Sequence, residues 1–492
     1  MALLLAARVA VAVTLDLHWD ETYYWQWSRH MALSFYDHPP MVAYGIWLGT
    51  VLFGDTALGI RAPAIAAMLA ASVLVYWLAM TLFADRRMGL LSLLWFSVMP
   101  HTGFFSVIMF PDTPALLFWV LTCCALAQVW RTGQGGWWYL AGAALGLTML
   151  SKYTGAFLAL GTVAWVGLSA EMRPWLRRKQ PYLAALLGLA VFSPVLLWNA
   201  QHGWVSFTKQ FGRVLDAAPD AGLANAGAYL GVQAAFVSPL IYAFCLAGSG
   251  VALWRGVRPK GGQGQGVWLL LALTSLPTLL FFLVHALTDI VKPQWPSAAY
   301  PTAIIAGVAA FAPLVPSRPW VRRAFLAAPW VGLAATAALY LQMTLTLVPV
   351  AAAGDPLAIF AGWANLARAT SAAAVAQQAG YIATTGYVPA ALFRFYLNDG
   401  PPVLQLSEAL RYTNEAPVDQ SVLAQNAGLY LAPAAQDDIA ALRPHFDSVT
   451  PLPPLVRARR GDAIAEYRVY RLDGYRGGLP LWGAIGAMSG TR

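Results

Sequence analysis

Charge is scarce in this chain. Of 492 residues only 11% are Asp, Glu, Lys or Arg, while 59% are hydrophobic, 21 are Trp and the mean hydropathy is +0.57. A soluble domain has no use for so much apolar surface, whereas repeated runs of about 17 to 25 apolar residues fit the roughly 30 Å hydrocarbon layer of a bilayer. Cysteine is nearly absent: Cys123, Cys124 and Cys245 all lie inside apolar runs, so no disulfide framework is implied and the redox compartment is not legible. Acids are outnumbered by bases, 22 to 31, for a formal charge of +9. That excess would suit nucleic acid if it formed one face, but the cations sit in short loops between apolar runs, a topology signal that argues against a nucleic-acid partner. Ionisable groups are also nearly missing from the run interiors. Proton- and ion-coupled transporters line their midplane with such groups, and the internal repeats common in transporter folds are not visible either.

The runs predict eleven spans, at about 2–17, 57–83, 89–109, 113–131, 137–150, 154–170, 181–198, 226–254, 266–287, 297–315 and 325–350. The first is short, carries Arg8 and lacks the small-residue cleavage site of a secretory signal, so it reads as a retained span with its true start left open. Lys and Arg gather at 86–87, 173–179, 255–260 and 318–323; since such loops stay inside, the N-terminus is expected in the cytoplasm and the tail outside. In the long segment 18–56, the apolar half Met41–Phe53 is too short to span and is expected along the outer interface. Beyond residue 350 the composition changes to Asp-Pro, Asp-Gly and Gly-Pro-Pro turns, most of the remaining acids, and strand-like runs such as 381–385 and 467–472. The expectation is a polytopic α-helical membrane protein over 1–350, with an interfacial loop 18–56, and a C-terminal soluble α/β domain over 351–492.

Adjacent carboxylates at a membrane boundary are costly to desolvate unless something uses them, which makes Asp20-Glu21 the most informative pair. Asp112 in Phe-Pro-Asp-Thr-Pro and Lys152-Tyr153 in Ser-Lys-Tyr-Thr-Gly fall in loops on the same expected outer face. Plainer readings stand beside each: a solvated flanking acid, a lysine snorkelling to headgroups, or, for His38 before two prolines, a turn residue. The aromatics from Tyr23 and Tyr24 to Trp27 fit an interfacial belt or a stacking surface for sugar rings, and His202 and Trp204 divide the same way. Asp37 beside His38 invites a metal, but two ligands and a distant carboxylate are too few to assign one.

His-Trp-Asp-Glu-Thr-Tyr-Tyr-Trp (18–25), Phe-Tyr-Asp-His-Pro-Pro (35–40), Pro-Asp-Thr-Pro (111–114), Ser-Lys-Tyr-Thr-Gly (151–155) and Trp-Asn-Ala-Gln-His-Gly-Trp (198–204) together resemble the C-type glycosyltransferases that use polyprenyl-phosphate sugars. That group includes the protein O-mannosyltransferases of glycosyltransferase family 39 and the bacterial lipid A aminoarabinose transferase. The likeness is closest to the branch that adds galacturonate to lipopolysaccharide core and lipid A, which the stretches 292–301 and 400–406 also resemble. The resemblance implies a C-type (GT-C) fold and an inverting transfer in which Asp20 is the base that takes the acceptor's proton and Glu21 orients Asp20 or raises its pKa. It implies that Lys152 and His38 contact the donor phosphate, although a lysine stands at the position of His38 in the aminoarabinose transferases. Asp112 matches a second outer carboxylate that binds acceptor, sugar or a divalent ion, and Tyr23, Tyr24, Tyr153, His202 and Trp204 would line the substrates. No cofactor is required, with a divalent metal left open. The partners are a polyprenyl phosphate-sugar donor, an envelope glycolipid acceptor and membrane lipids, in the bacterial inner membrane. Arg29, Arg61 and Lys209 are the cations considered for a uronate. A lipid-linked sugar flippase, a non-catalytic scaffold and the same chemistry with a protein acceptor are the alternatives, and the sequence names neither sugar nor acceptor.

Overall fold

The computed structural model describes residues 2–215, 222–258, 264–348, 350–397, 400–416 and 418–479; Lys260, one of the cations behind the topology, lies outside them. The chain opens with α1 (Ala2–Thr14) and α2 (Trp19–Arg29), which are jointly apolar enough for a span but meet at a break bent by 82°. There follow α3 (Met41–Phe53), α4 (Ala57–Phe83), α5 (Arg86–Val98), α6 (Pro100–Phe105), α7 (Asp112–Thr132), α8 (Gly136–Ser151), α9 (Gly155–Leu168), α10 (Gln180–Gln201) and α11 (Val205–Leu215). The helical part continues through α12 (Leu223–Val237), α13 (Pro239–Val257), α14 (Gln265–Leu273), α15 (Leu276–His285), α16 (Tyr300–Phe311) and α17 (Pro319–Leu345).

Among the described residues seven segments are individually long and apolar enough to cross a membrane, or eight if the bent α1–α2 pair counts as one span. This is a multi-pass membrane protein. All eleven apolar runs become helical, but not all as single spans. The run 226–254 divides into α12 and α13 because Ser238 takes a φ of 87° and Pro239 has no amide proton to continue the ladder. The run 89–109 divides into α5 and α6 at Met99–Pro100. At 13 residues, α3 is about 20 Å long, short of the hydrocarbon thickness, and exposes Trp47, Leu48, Val51 and Leu52.

The residues group into two compact units. Unit 1 comprises Met1–Val9, Asp37–Val42 and Arg61–Tyr340; unit 2 comprises Ala10–Tyr36, Ala43–Ile60 and Leu341–Arg492. In lipid there is no hydrophobic drive between helices, so unit 1 relies on close backbone approach at small residues. A Cβ on Gly142 of α8 would stand 2.1 Å from the carbonyl oxygen of Ala184 on α10, and one on Gly146 would stand 2.6 Å from that of Gly188. Arg8 inside α1 is 2% exposed and donates to the Ser97 carbonyl at 2.8 Å, which lets a guanidinium stay within the bundle.

In unit 2, α18 (Trp363–Ala376) precedes a five-stranded sheet formed by β1 (Tyr381–Thr384), β2 (Val403–Gln405), β3 (Gly428–Pro433), β4 (Phe446–Arg459) and β5 (Asp462–Tyr475), in the order β2-β1-β3-β5-β4. β1 runs parallel to β2 and β3, while β5 is antiparallel to β3 and β4. Alternation along the strands sends Ile382, Leu429, Leu431 and Val469 into one core with α18, and Tyr381, Tyr430, Tyr470 and Leu472 into a second on the other face. Arg460 and Gly461, with φ of 53° and 94°, close the β4–β5 hairpin with the paired positive angles that a tight two-residue turn needs. Helix α19 (Tyr387–Tyr396) is the crossover from β1 to β2, so its first residue lies just past the carboxyl end of β1.

Gly142→Ala gains up to about 1 kcal/mol of helix propensity but sets a methyl against a backbone carbonyl, an overpacking cost of about 1–3 kcal/mol. Thermal unfolding in detergent should show a net loss for Gly142→Ala and none for Gly136→Ala, whose Cβ meets nothing within 4 Å.

Candidate active site

The acid pair opens α2, and its two members have different fates. The Glu21 carboxylate accepts from the His18 backbone N–H at 3.0 Å, while His18 Nδ1 accepts from the Asp20 N–H at 3.0 Å, a reciprocal cap of the helix start. Glu21 is fully buried. Asp20 keeps 24% of its side chain exposed, and its Oδ2 lies 3.8 Å from His18 Nδ1. That nitrogen already accepts the Asp20 amide proton, so in this geometry it carries none of its own to share with the carboxylate.

Tyr23 and Tyr24 are buried within unit 2 rather than presented as a belt. The Tyr23 ring lies 5.3 Å from Tyr387 and 6.3 Å from Tyr412, and Trp27 stacks on Phe35 at 4.3 Å. Tyr387 donates its hydroxyl to Asp20 Oδ1 at 3.2 Å. The Arg411 guanidinium stands 4.0 Å over the Tyr387 ring and 5.7 Å over Tyr23. Arg394 pairs with Glu415 at 2.8 Å and donates to Gln26 at 2.9 Å, beneath a cavity of about 330 Å³ that Trp25, Arg29 and Pro401 also line. Burial pushes the Tyr412 phenol well up, so it stays neutral under Arg394. The residues of the α/β domain around Asp20 carried no sequence signal, because each lies more than three hundred positions from α2.

Unit 1 holds the other candidates. Gly133, at φ 65°, caps α7 and turns the chain into α8, so the start of α7 and the end of α8 come together. There Lys152 Nζ meets Asp112 Oδ1 at 2.5 Å, with side chains 10% and 7% exposed. An acid in the first turn of one helix and a cation at the end of the other also suit both helix dipoles. Next to the pair, Tyr153 shares a hydrogen bond with Ser206 at 2.8 Å and rests on Phe207 of α11. Lys209, one turn further along α11, forms an ion pair with Asp37, and Gln210 donates to the Asp37 carbonyl at 2.7 Å. This clamp holds the stretch that carries His38. His202 ends α10 with its ring stacked on Trp198 at 4.1 Å, and Trp204 is half exposed with a φ of 60°. The structure thus brings together Asp112 with Lys152, Tyr153 with α11, and α11 with Asp37. The pairing of Lys209 with Asp37 is not foreseeable from the sequence, which offered Lys209 only as one of three cations for a uronate. Among the described residues no group of three or more His, Cys, Asp or Glu is arranged to hold a metal.

With this geometry in hand, residues 37–198 match a family described as dolichyl-phosphate-mannose-protein mannosyltransferase. The lipid A galacturonosyltransferase RgtD of Rhizobium johnstonii is 25% identical over 296 residues, which is 60% of this chain and 60% of the length of that relative. ArnT from Cupriavidus metallidurans bound to undecaprenyl phosphate has a similar structure, with a TM-score of 0.62 at 14% identity, covering 95% of this chain and 96% of that one. The apo state of the same protein gives 0.59 at 15% identity, covering 95% and 97%. The architecture is the GT-C fold with a small C-terminal sheet domain, as the motifs implied, and Asp37, His38, Asp112, Lys152 and Tyr153 lie inside the segment that matches the family.

Two stability outcomes follow from these contacts. Glu21→Gln preserves an acceptor for the His18 amide, whereas Glu21→Ala loses it at about 1 kcal/mol, read as a lower melting temperature for Ala only. Lys152→Met strands the buried Asp112 carboxylate at about 3–5 kcal/mol, and adding Asp112→Asn should restore most of it. Equal melting of the single and double variants would show that the two side chains do not depend on each other.

Proposed function

We propose that this chain is an inverting glycosyltransferase that moves a sugar from a polyprenyl phosphate carrier to lipid A, lipopolysaccharide or a related envelope glycolipid at the periplasmic face of the inner membrane. The observation that carries the reading is the state of Asp20: of two adjacent acids, Glu21 is buried and caps the helix, while Asp20 keeps part of its side chain in water and accepts from the Tyr387 hydroxyl. A general base must be within hydrogen-bond reach of the proton it takes, and the partial exposure of Asp20 is consistent with that role.

In the proposed step the acceptor hydroxyl gives its proton to Asp20 as its oxygen bonds to the anomeric carbon. The carbon–oxygen bond to the carrier phosphate breaks on the opposite face and its electron pair leaves with the phosphate. Lys152 is the cation for that growing charge, held ready by Asp112 until the phosphate competes for it, and His38 stands on the segment clamped by Lys209. An N-terminus in the cytoplasm and a periplasmic C-terminal domain complete the reading, as the loop charges favour. The support is cumulative: the fold shared with ArnT, the family match over 37–198, and the likeness to RgtD, whose named activity makes galacturonate the first sugar to test and lipid A the first acceptor. Of the cations considered for a uronate, Arg29 already faces Asp55 at 2.7 Å and Lys209 faces Asp37.

The full chain in detergent, given polyprenyl phosphate galacturonate and lipid A, should release polyprenyl phosphate and add one uronate mass to lipid A. Asp20→Asn should lower turnover by about 10²- to 10⁴-fold while donor binding persists. Undiminished turnover removes Asp20 from the mechanism, and carrier movement between leaflets without release of polyprenyl phosphate would make the protein a flippase.

A further inference from the structure

We infer that the basic turn between α9 and α10, together with Arg131 at the end of α7, binds the anionic headgroup of a membrane phospholipid in the leaflet away from the Asp112–Lys152 pair. Helix α7 runs from Asp112 to Thr132, about 30 Å, and α8 returns to Ser151. The ion pair therefore stands at one end of this hairpin and the Gly133 turn at the other. A Cβ on Gly135 would lie 2.9 Å from the Gln180 side chain, which sets that turn against the first residue of α10. Arg131 thus comes to the same end of the bundle as Arg177, Arg178 and Lys179, and all of these cations are exposed.

Loop cations that serve only to orient a chain in the bilayer need no fixed arrangement, whereas these sit on a braced turn. Arg173 Nε donates to the Gly167 carbonyl at 2.9 Å and its Nη2 to that of Leu168 at 3.3 Å, closing the end of α9. Trp175 is buried against Trp138 at 5.8 Å, the Arg178 guanidinium stands 4.5 Å over the Trp175 ring, and Tyr182 donates its hydroxyl to the Leu176 carbonyl at 2.8 Å. Among the described residues the side-chain nitrogens of Arg131, Arg177 and Lys179 have no hydrogen-bond or ion-pair partner. Glu171, the only acid in the sequence between Asp112 and Asp216, accepts from the Trp130 indole. Arg177, Arg178 and Lys179 also repel one another ahead of α10, whose dipole favours acids at that end, so the fold keeps them there at an electrostatic cost.

The surface beside the cations selects the occupant. Leu176 is 46% exposed, and Tyr182, Leu183 and Leu186 on the first turns of the membrane-spanning α10 are exposed as well. Cations at the end of a span, with aliphatic and aromatic surface running along it from there, match a ligand with an anionic head and acyl chains. A nucleic acid or a soluble phosphate would use the cations and leave the apolar flank uncovered. Each Lys or Arg near a bilayer surface contributes about fivefold to the affinity for anionic lipid.

Native mass spectrometry of the full chain in detergent, titrated with phosphatidylglycerol or with zwitterionic phosphatidylcholine, tests the site. Phosphatidylglycerol should bind more tightly by about tenfold or more. Arg177→Gln combined with Lys179→Gln should weaken it about 25-fold and leave phosphatidylcholine unchanged, whereas Arg177→Lys with Lys179→Arg, which keeps both charges, should stay within about threefold of the unaltered chain. Arg322→Gln with Arg323→Gln, which removes two exposed cations from the start of α17, should change little. An equal loss in that control would show diffuse attraction to net charge and overturn the site, as would equal affinity for the two lipids. If millimolar inorganic phosphate raises the melting temperature as much as phosphatidylglycerol does, and the Gln double variant at 177 and 179 abolishes the rise, the ligand is a soluble anion and the lipid assignment is wrong.

Discussion

A charge taken out of water has to be answered by a group within hydrogen-bond reach, and the ordering of this molecule around its candidate site follows from that requirement. Arg8 reaches a backbone carbonyl of α5, Lys152 reaches Asp112, Lys209 reaches Asp37, and Glu21 reaches the amide of His18. The first three answers join segments that hydrophobic packing alone would leave free to slide, because lipid-facing helices gain little from one apolar neighbour over another. The pairs at the ends of α8 and along α11 therefore fix the heights at which those helices stop, and with them the place where polar chemistry is available.

The four acids of interest differ in how much water they retain, and this sorts them by capability. Glu21 and Asp37 are committed to structure, one as a cap and one as the anchor of α11. Asp112 is dry and held in an ion pair with Lys152. Only Asp20 combines exposure with a fixed orientation. The distinction between neighbours 20 and 21 arises from one step around a helix, which turns Glu21 back over the first turn and Asp20 outward.

Much of the architecture was legible in the sequence because lipid demands long apolar runs: those runs became helices, and the strand-like runs at 381–385 and 467–472 fell in strands. What periodicity could not show was where a run breaks. Ser238-Pro239 is apolar enough on average to vanish in a hydropathy window, yet it ends a helix. The motif residues Asp112 and Lys152 were identifiable because short loops carried them, and their meeting follows from the tight turn at Gly133. Tyr387 and Arg411 were not identifiable, since a tyrosine heading a crossover helix looks like any other until the sheet order is known. The difference between Asp20 and Glu21 was equally hidden, although the histidine before them and the acid in the helix's first turn already spelled a capping pattern.

The contact of α8 with α10 carries one more consequence. Where Gly142 and Gly146 meet Ala184 and Gly188, main chain touches main chain and leaves no room for a side chain between the two helices there. An isoprenoid tail cannot thread this seam without prising it apart. At these positions the pair of helices is a stiff wall rather than an opening through which a long apolar chain could pass.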